Sequence, residues 1–151
     1  MPGAGPDPGV GPCAQGLSIR LRSRLYPGMA TRVFLGLSGL LWFTYGLYCL
    51  FVPGSLAEAA GVVAQTPTGT TELRAMYGGL QAALGLLAGL AVFRASLVRP
   101  ALIALVFLTG GLATARLLGV ALDGGFSSYT AMGLGFELAT MAVASALARR
   151  A

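Results

Sequence analysis

Two charged residues stand inside otherwise apolar runs, Arg116 in LTGGLATARLLGV and Glu137 in TAMGLGFELATMA. A guanidinium or a carboxylate at membrane depth is costly alone, so such residues turn toward a protein interior and a partner. Placed together they form an ion pair whose hydrogen bonds can be bidentate. A second polar stripe accompanies them. In TELRAMYGGLQAALG, residues Arg74, Tyr77, Gly78, Gln81 and Gly85 fall at i, i+3, i+4, i+7 and i+11, the spacing of one helix face. Thr130, Gly133, Glu137 and Thr140 repeat that spacing further on. Glu72 lies two residues before Arg74, and residues two apart on a helix do not face each other, so each needs another partner. The expected candidate site is a polar cluster of Glu72, Arg74, Tyr77, Gln81, Arg116 and Glu137, with Arg74 long enough to join Arg116 at Glu137.

Three roles suit such a cluster. It locks helix register, it binds a lipid headgroup or small amphiphile, or it relays protons or ions. A relay needs a second acid or a histidine deeper along the path, and the sequence supplies neither. With no histidine, and with Cys13 and Cys49 far apart, no haem, zinc or disulfide framework can be assembled. No nucleophile–base pair or phosphate loop is present either. The expectation is therefore a non-enzyme without catalytic residues, cofactor or metal. An enzyme built on this chain would have to use Glu137, Glu72 or Tyr77 as its acid–base group.

The elements that must position these residues are membrane spans. Hydrophobic residues make up 56% of the 151, only 10% are charged, and the mean hydropathy is +0.77. That leaves too little polar surface to cover a water-soluble globule. Uncharged stretches of about twenty residues match the hydrocarbon thickness. The net charge of +5 comes from arginines spread among apolar segments, not from a basic stripe, so nucleic acid is not an expected partner.

Spans are expected at about 33–52, 73–93, 101–122 and 129–148, each placed by the sequence and by length. The second is expected to take Thr70 or Thr71 as its N-cap, and the third to begin after Pro100. Residues 53–69 form a loop, with a short amphipathic helix through SLAEAAGVVA, and Asp123-Gly124-Gly125 reads as a turn. Short links make consecutive spans antiparallel neighbours, so the fold class is all-α, a four-transmembrane-helix bundle. Counted at 1.5 Å per residue, Arg116 and Glu137 lie roughly 9 and 12 Å from the same membrane face, so the hairpin of the last two spans brings them together. The glycines, including Gly85-Leu-Leu-Ala-Gly89, are expected to serve close contacts within the bundle, a dimer seam being the alternative.

Residues 1–28 are rich in Pro and Gly and are expected to be a disordered cytoplasmic tail ahead of a membrane domain over 29–151. Met29 is an alternative start. A cleaved signal peptide is the other alternative, against which the first apolar run is too long. Arg20, Arg22, Arg24, Arg32, Arg94, Arg99, Arg149 and Arg150 all fall on one side of this topology, which places both termini and the 94–99 link in the cytoplasm.

At TELRAMYGGLQAALGLL, FTYGLYCLFVP and GFELAT the chain resembles a bacterial family of small four-helix membrane proteins, domain of unknown function 4345, over about Arg32 to Ala148. The resemblance implies a four-span architecture in a bacterial inner membrane and marks Glu72, Arg74, Tyr77, Gly78, Gly79 and Glu137 as motif positions. It implies no reaction. The functional expectation is a non-enzymatic accessory or scaffold subunit whose polar cluster binds a lipid headgroup or small amphiphile. The alternative is a small oligomeric transporter or permease-like module. Expected partners are the lipid bilayer and either a membrane protein or further copies of the chain.

Overall fold

The structure, a computed structural model, describes residues 28–151. The expected tail, with its three arginines, lies outside the described residues apart from Gly28. Every regular element among the described residues is helical: α1 Met29–Phe51, α2 Ser55–Ala60, α3 Pro67–Phe93, α4 Ala95–Asp123 and α5 Ser128–Ala148. Four of these, α1, α3, α4 and α5, are long and apolar enough to cross a membrane.

Several boundaries differ from expectation, each for a local reason. Helix α1 starts at Met29, where the Thr31 and Arg32 N–H groups close on the Gly28 carbonyl at 3.0 and 3.2 Å. Hydropathy marks lipid depth, not the helix end, and a polar first turn carries no hydropathy signal. Helix α2 stops at Ala60, short of Ala64, because Gly61 takes a φ of +71°. The Val62 N–H returns to the Leu56 carbonyl and that of Gly61 to Ala57, a Schellman-type stop. Neither Thr70 nor Thr71 caps α3. Thr66 does, its hydroxyl accepting from the Gly69 N–H at 3.1 Å, with Pro67 in the first turn where a missing N–H costs nothing. Pro100 lies inside α4, not before it, because a single extended residue, Arg94, already turns the chain from α3 into α4. Ser127 caps α5 by accepting from the Thr130 N–H at 3.2 Å.

Helix α1 packs along α3, α3 against α4, and α4 along α5, whereas α1 and α5 are not paired along their lengths. The α1–α3 seam is built on glycines seven residues apart on both helices. A Cβ on Gly46 would sit 2.8 Å from the Ala82 Cα and from the Gly78 carbonyl oxygen, and one on Gly78 would sit 2.8 Å from the Leu50 Cα. Gly39 and Gly85 repeat the arrangement, with Gly39 against the Gly89 backbone. These glycines therefore serve contacts within the bundle. The close-packed core, with Leu35, Leu84, Ala88, Leu102, Leu105 and Ala144, fills the half of the bundle nearest Arg94. The other half, beneath α2 and the α4–α5 link, is hollow.

Candidate functional site

Within α3, residues Arg74–Gly79 form a π-helical segment. A π turn accommodates an extra residue, so it rotates the turns before it relative to the turns after it by about 100°. The stripe drawn from Arg74 to Gln81 on α-helical spacing is therefore broken. Gly78 turns onto Leu50, and the Arg74 guanidinium donates a hydrogen bond to the Leu50 carbonyl at the end of α1. Helix α1 has no basic residue of its own in its last turn. Arg74 supplies the cation that its exposed carbonyls and dipole favour. Arg74 thus does not join Glu137. Glu72 also stands apart: it is exposed near the start of α3 and makes no ion pair among the described residues.

Tyr77, Gln81, Arg116 and Glu137 do converge. They line one cavity of about 750 Å³ together with Trp42 and Tyr45 of α1 and Tyr129, Gly133 and Phe136 of α5. At roughly 30 Å³ per water the space is far larger than one bridging water, and it falls in the usual range of small-molecule sites. Arg116 Nε donates to Glu137 Oε1 at 2.8 Å, a single charge-assisted bond; the carboxylate is 3% exposed and the guanidinium side chain 27%. The guanidinium lies directly against Gly133, where a Cβ would be 3.0 Å from Cζ. It also sits 5.6 Å from the centre of the Tyr129 ring, within cation–π range. Tyr129 and Tyr45 hydroxyls stand 3.4 Å apart, and Trp42 and Phe136 rings 5.7 Å apart, so aromatic pairs bridge α1 and α5 where backbone packing does not.

Three residues of this lining each carry a side-chain atom packed out of reach of the open space and without a hydrogen bond: Trp42 Nε1, Gln81 Oε1 and Glu137 Oε2. A buried polar atom left bare costs about 1–3 kcal/mol. A second cavity of about 460 Å³ adjoins the first at Tyr77, Arg116 and Tyr129, and runs up to Gly61, Ser127 and Thr130 at the loop end.

Trp42, Tyr45, Tyr129, Gly133 and Phe136 are among the lining residues that the expected cluster omits. Trp42 and Tyr45 fall three apart in WFTY, near the middle of the first apolar run. That pattern also fits ordinary aromatic packing, so spacing alone does not single them out. Gly133 is visible in the sequence as a small residue on the stripe of Thr130, Glu137 and Thr140, which does not by itself assign it to a cavity wall.

Residues 30–148 match the sequence profile of a family described as domain of unknown function, DUF4345. No curated protein and no solved structure matches the chain. The match covers most of the sequence, and the chain belongs to the DUF4345 family.

Proposed function

We propose that this DUF4345 protein is a multi-pass membrane protein that binds a small amphiphile in the cavity around Arg116 and Glu137, and that it acts as a non-enzymatic accessory or scaffold subunit. The observation that carries this reading is a cavity of about 750 Å³, mostly apolar in its lining, to which the partly exposed Arg116 guanidinium, bonded to Glu137 through Nε alone, is presented. A purely structural lock would gain nothing from the empty space, because buried networks stabilise only when their members are satisfied. Apolar side chains at the rim, Leu41, Met76, Leu80 and Met132, are exposed at the depth where acyl chains would lie, which suits a tail entering sideways.

The adjoining loop-end cavity gives a polar approach to Arg116 and is the observation that favours a transporter as the second reading. Against it, the half of the bundle nearest Arg94 is closed by Leu84, Ala88, Leu102, Leu105 and Ala144, so no passage continues through one copy. A transporter would require several copies. Arginine placement supports a topology with the Arg94 end and both termini in the cytoplasm, and the family resemblance is what suggests a bacterial inner membrane. Proteoliposome flux and lipid retention separate the two readings: a retained amphiphile without flux supports a binding subunit, and flux blocked by Gly133→Leu supports a transporter.

A further inference from the structure

The accessible charge on the cavity wall defines what kind of head the site takes. Arg116 donates to Glu137 through Nε alone, and its terminal nitrogens, Nη1 and Nη2, make no hydrogen bond among the described residues. Neither nitrogen is sealed off from the open space, whereas the second oxygen of Glu137 is. A guanidinium presents two edges, so a carboxylate on the Nε side leaves the terminal fork free for a second oxyanion. Bidentate, charge-assisted contact is what that fork fits best.

The surroundings of the fork favour the same sign. Arg116 stands where the two cavities meet, and it is the only charged residue lining the loop-end one. Ser127, Tyr129 and Thr130 line that space too, and Ser127 caps α5, so the positive end of a 21-residue helix dipole lies at the same cavity. Glu58, Glu72 and Asp123, the acids at this end of the bundle, are exposed and line neither cavity. On the other side of Arg116 lies the larger cavity, walled by Leu41, Leu80, Leu108, Leu112 and Phe136. One cation thus divides a polar, acid-free space from an apolar one.

We infer that the site takes an anionic amphiphile whose oxyanion head, carboxylate or phosphate, bonds to the Arg116 fork in the loop-end cavity while its tail lies in the apolar one. The inference rests on the amphiphile-binding function proposed above and specifies its ligand class.

Trp42 is the only tryptophan in the sequence and lines the apolar cavity, so its emission reports a tail there without labelling. The test uses the full chain in nanodiscs of zwitterionic lipid and three chain-brominated probes of equal length: an alkyl sulfate as an oxyanion of fixed charge, a monoacylglycerol and an alkyltrimethylammonium. Bromine quenches the indole on contact. The expected result is saturable quenching by the sulfate, at a mole fraction about tenfold or more below that needed by either other probe. Arg116→Gln should erase that lead. Ala60→Glu, an exposed change at the end of α2, sets a carboxylate on the loop-end wall and leaves the Arg116–Glu137 pair intact. It should weaken the sulfate about tenfold and spare the monoacylglycerol, so it decides together with the wild-type ranking if Arg116→Gln does not fold. Equal or tighter binding of the monoacylglycerol or the ammonium to the wild type, or a sulfate lead that survives substitution, overturns the anionic head and leaves the amphiphile site standing. Methyl sulfate, a head without a tail, should compete far more weakly than the alkyl sulfate; equal competition overturns the amphiphile function and leaves an anion site alone. Unsaturable quenching by all three probes overturns the amphiphile site, and the head-group inference with it.

Discussion

Arg116 Nε and Glu137 Oε1 meet at 2.8 Å across the α4–α5 hairpin, and Gly133, one turn from Glu137, leaves the space in which the guanidinium lies. The carboxylate is almost wholly buried while its second oxygen has no partner, so the pair is held firmly and yet not completed.

Removing one member should cost more than removing both. Glu137→Leu leaves a cation at membrane depth and is expected to destabilise the protein by about 1–3 kcal/mol, toward the lower figure because Arg116 keeps some exposure. Arg116→Met with Glu137→Leu should recover most of that loss. A double-mutant cycle on unfolding in detergent reads the coupling.

Gly133→Leu should abolish binding with the helices still formed, at a cost in stability no larger than that of parting Arg116 from Glu137. Its side chain projects into the space of a flexible guanidinium rather than into backbone, so Arg116 swings aside and the helices keep their contacts. The expected outcome is unchanged helical circular dichroism with loss of saturable Trp42 quenching by a chain-brominated amphiphile.

The α1–α3 seam predicts opposite results from two chemically identical changes. Gly46→Ala places a methyl group against the Ala82 and Gly78 backbone, which cannot yield, and should cost about 1–3 kcal/mol or more. Gly89→Ala meets open space and should be neutral or stabilising by up to about 1 kcal/mol. Thermal unfolding of the two variants side by side checks both signs.

Arg74→Met should weaken the bundle without emptying the cavity. Losing the cation and the hydrogen bond at the Leu50 carbonyl is expected to cost about 0.5–2 kcal/mol. Arg74→Lys should recover part of it, and ligand-dependent quenching of Trp42 should persist in both.

How much of the fold and the site is legible in the sequence depends on which periodicities hold. The meeting of Arg116 with Glu137 is legible because two continuous helices joined by a short link make depth countable at 1.5 Å per residue. The four apolar helices are legible for the same reason that hydropathy works, since spanning segments must be long and uncharged. The fate of Arg74 is not, because the π-helical segment at RAMYGG breaks the 3.6-residue period on which its stripe depends. Glu72 groups with the cluster only by nearness in sequence, and the added turns from Pro67 place it on the loop surface instead. Thr66 as the cap is obscured by a run of four threonines within six residues, Thr66 to Thr71, any of which has the right hydroxyl. The cavity itself has no sequence signature. It exists because α1 and α5 do not close along their lengths, a tertiary outcome of the glycine seam that ties α1 to α3.

Whether the space beside the Arg116–Glu137 pair holds a ligand is read by native mass spectrometry with lipid identification. The comparison is between the wild-type protein and the Arg116→Met, Glu137→Leu double variant. A defined amphiphile should be bound to the wild type and absent from the double variant, with the two forms unfolding at similar temperatures. The same adducts on both, or none on either, would contradict binding there and leave the pair as a structural lock.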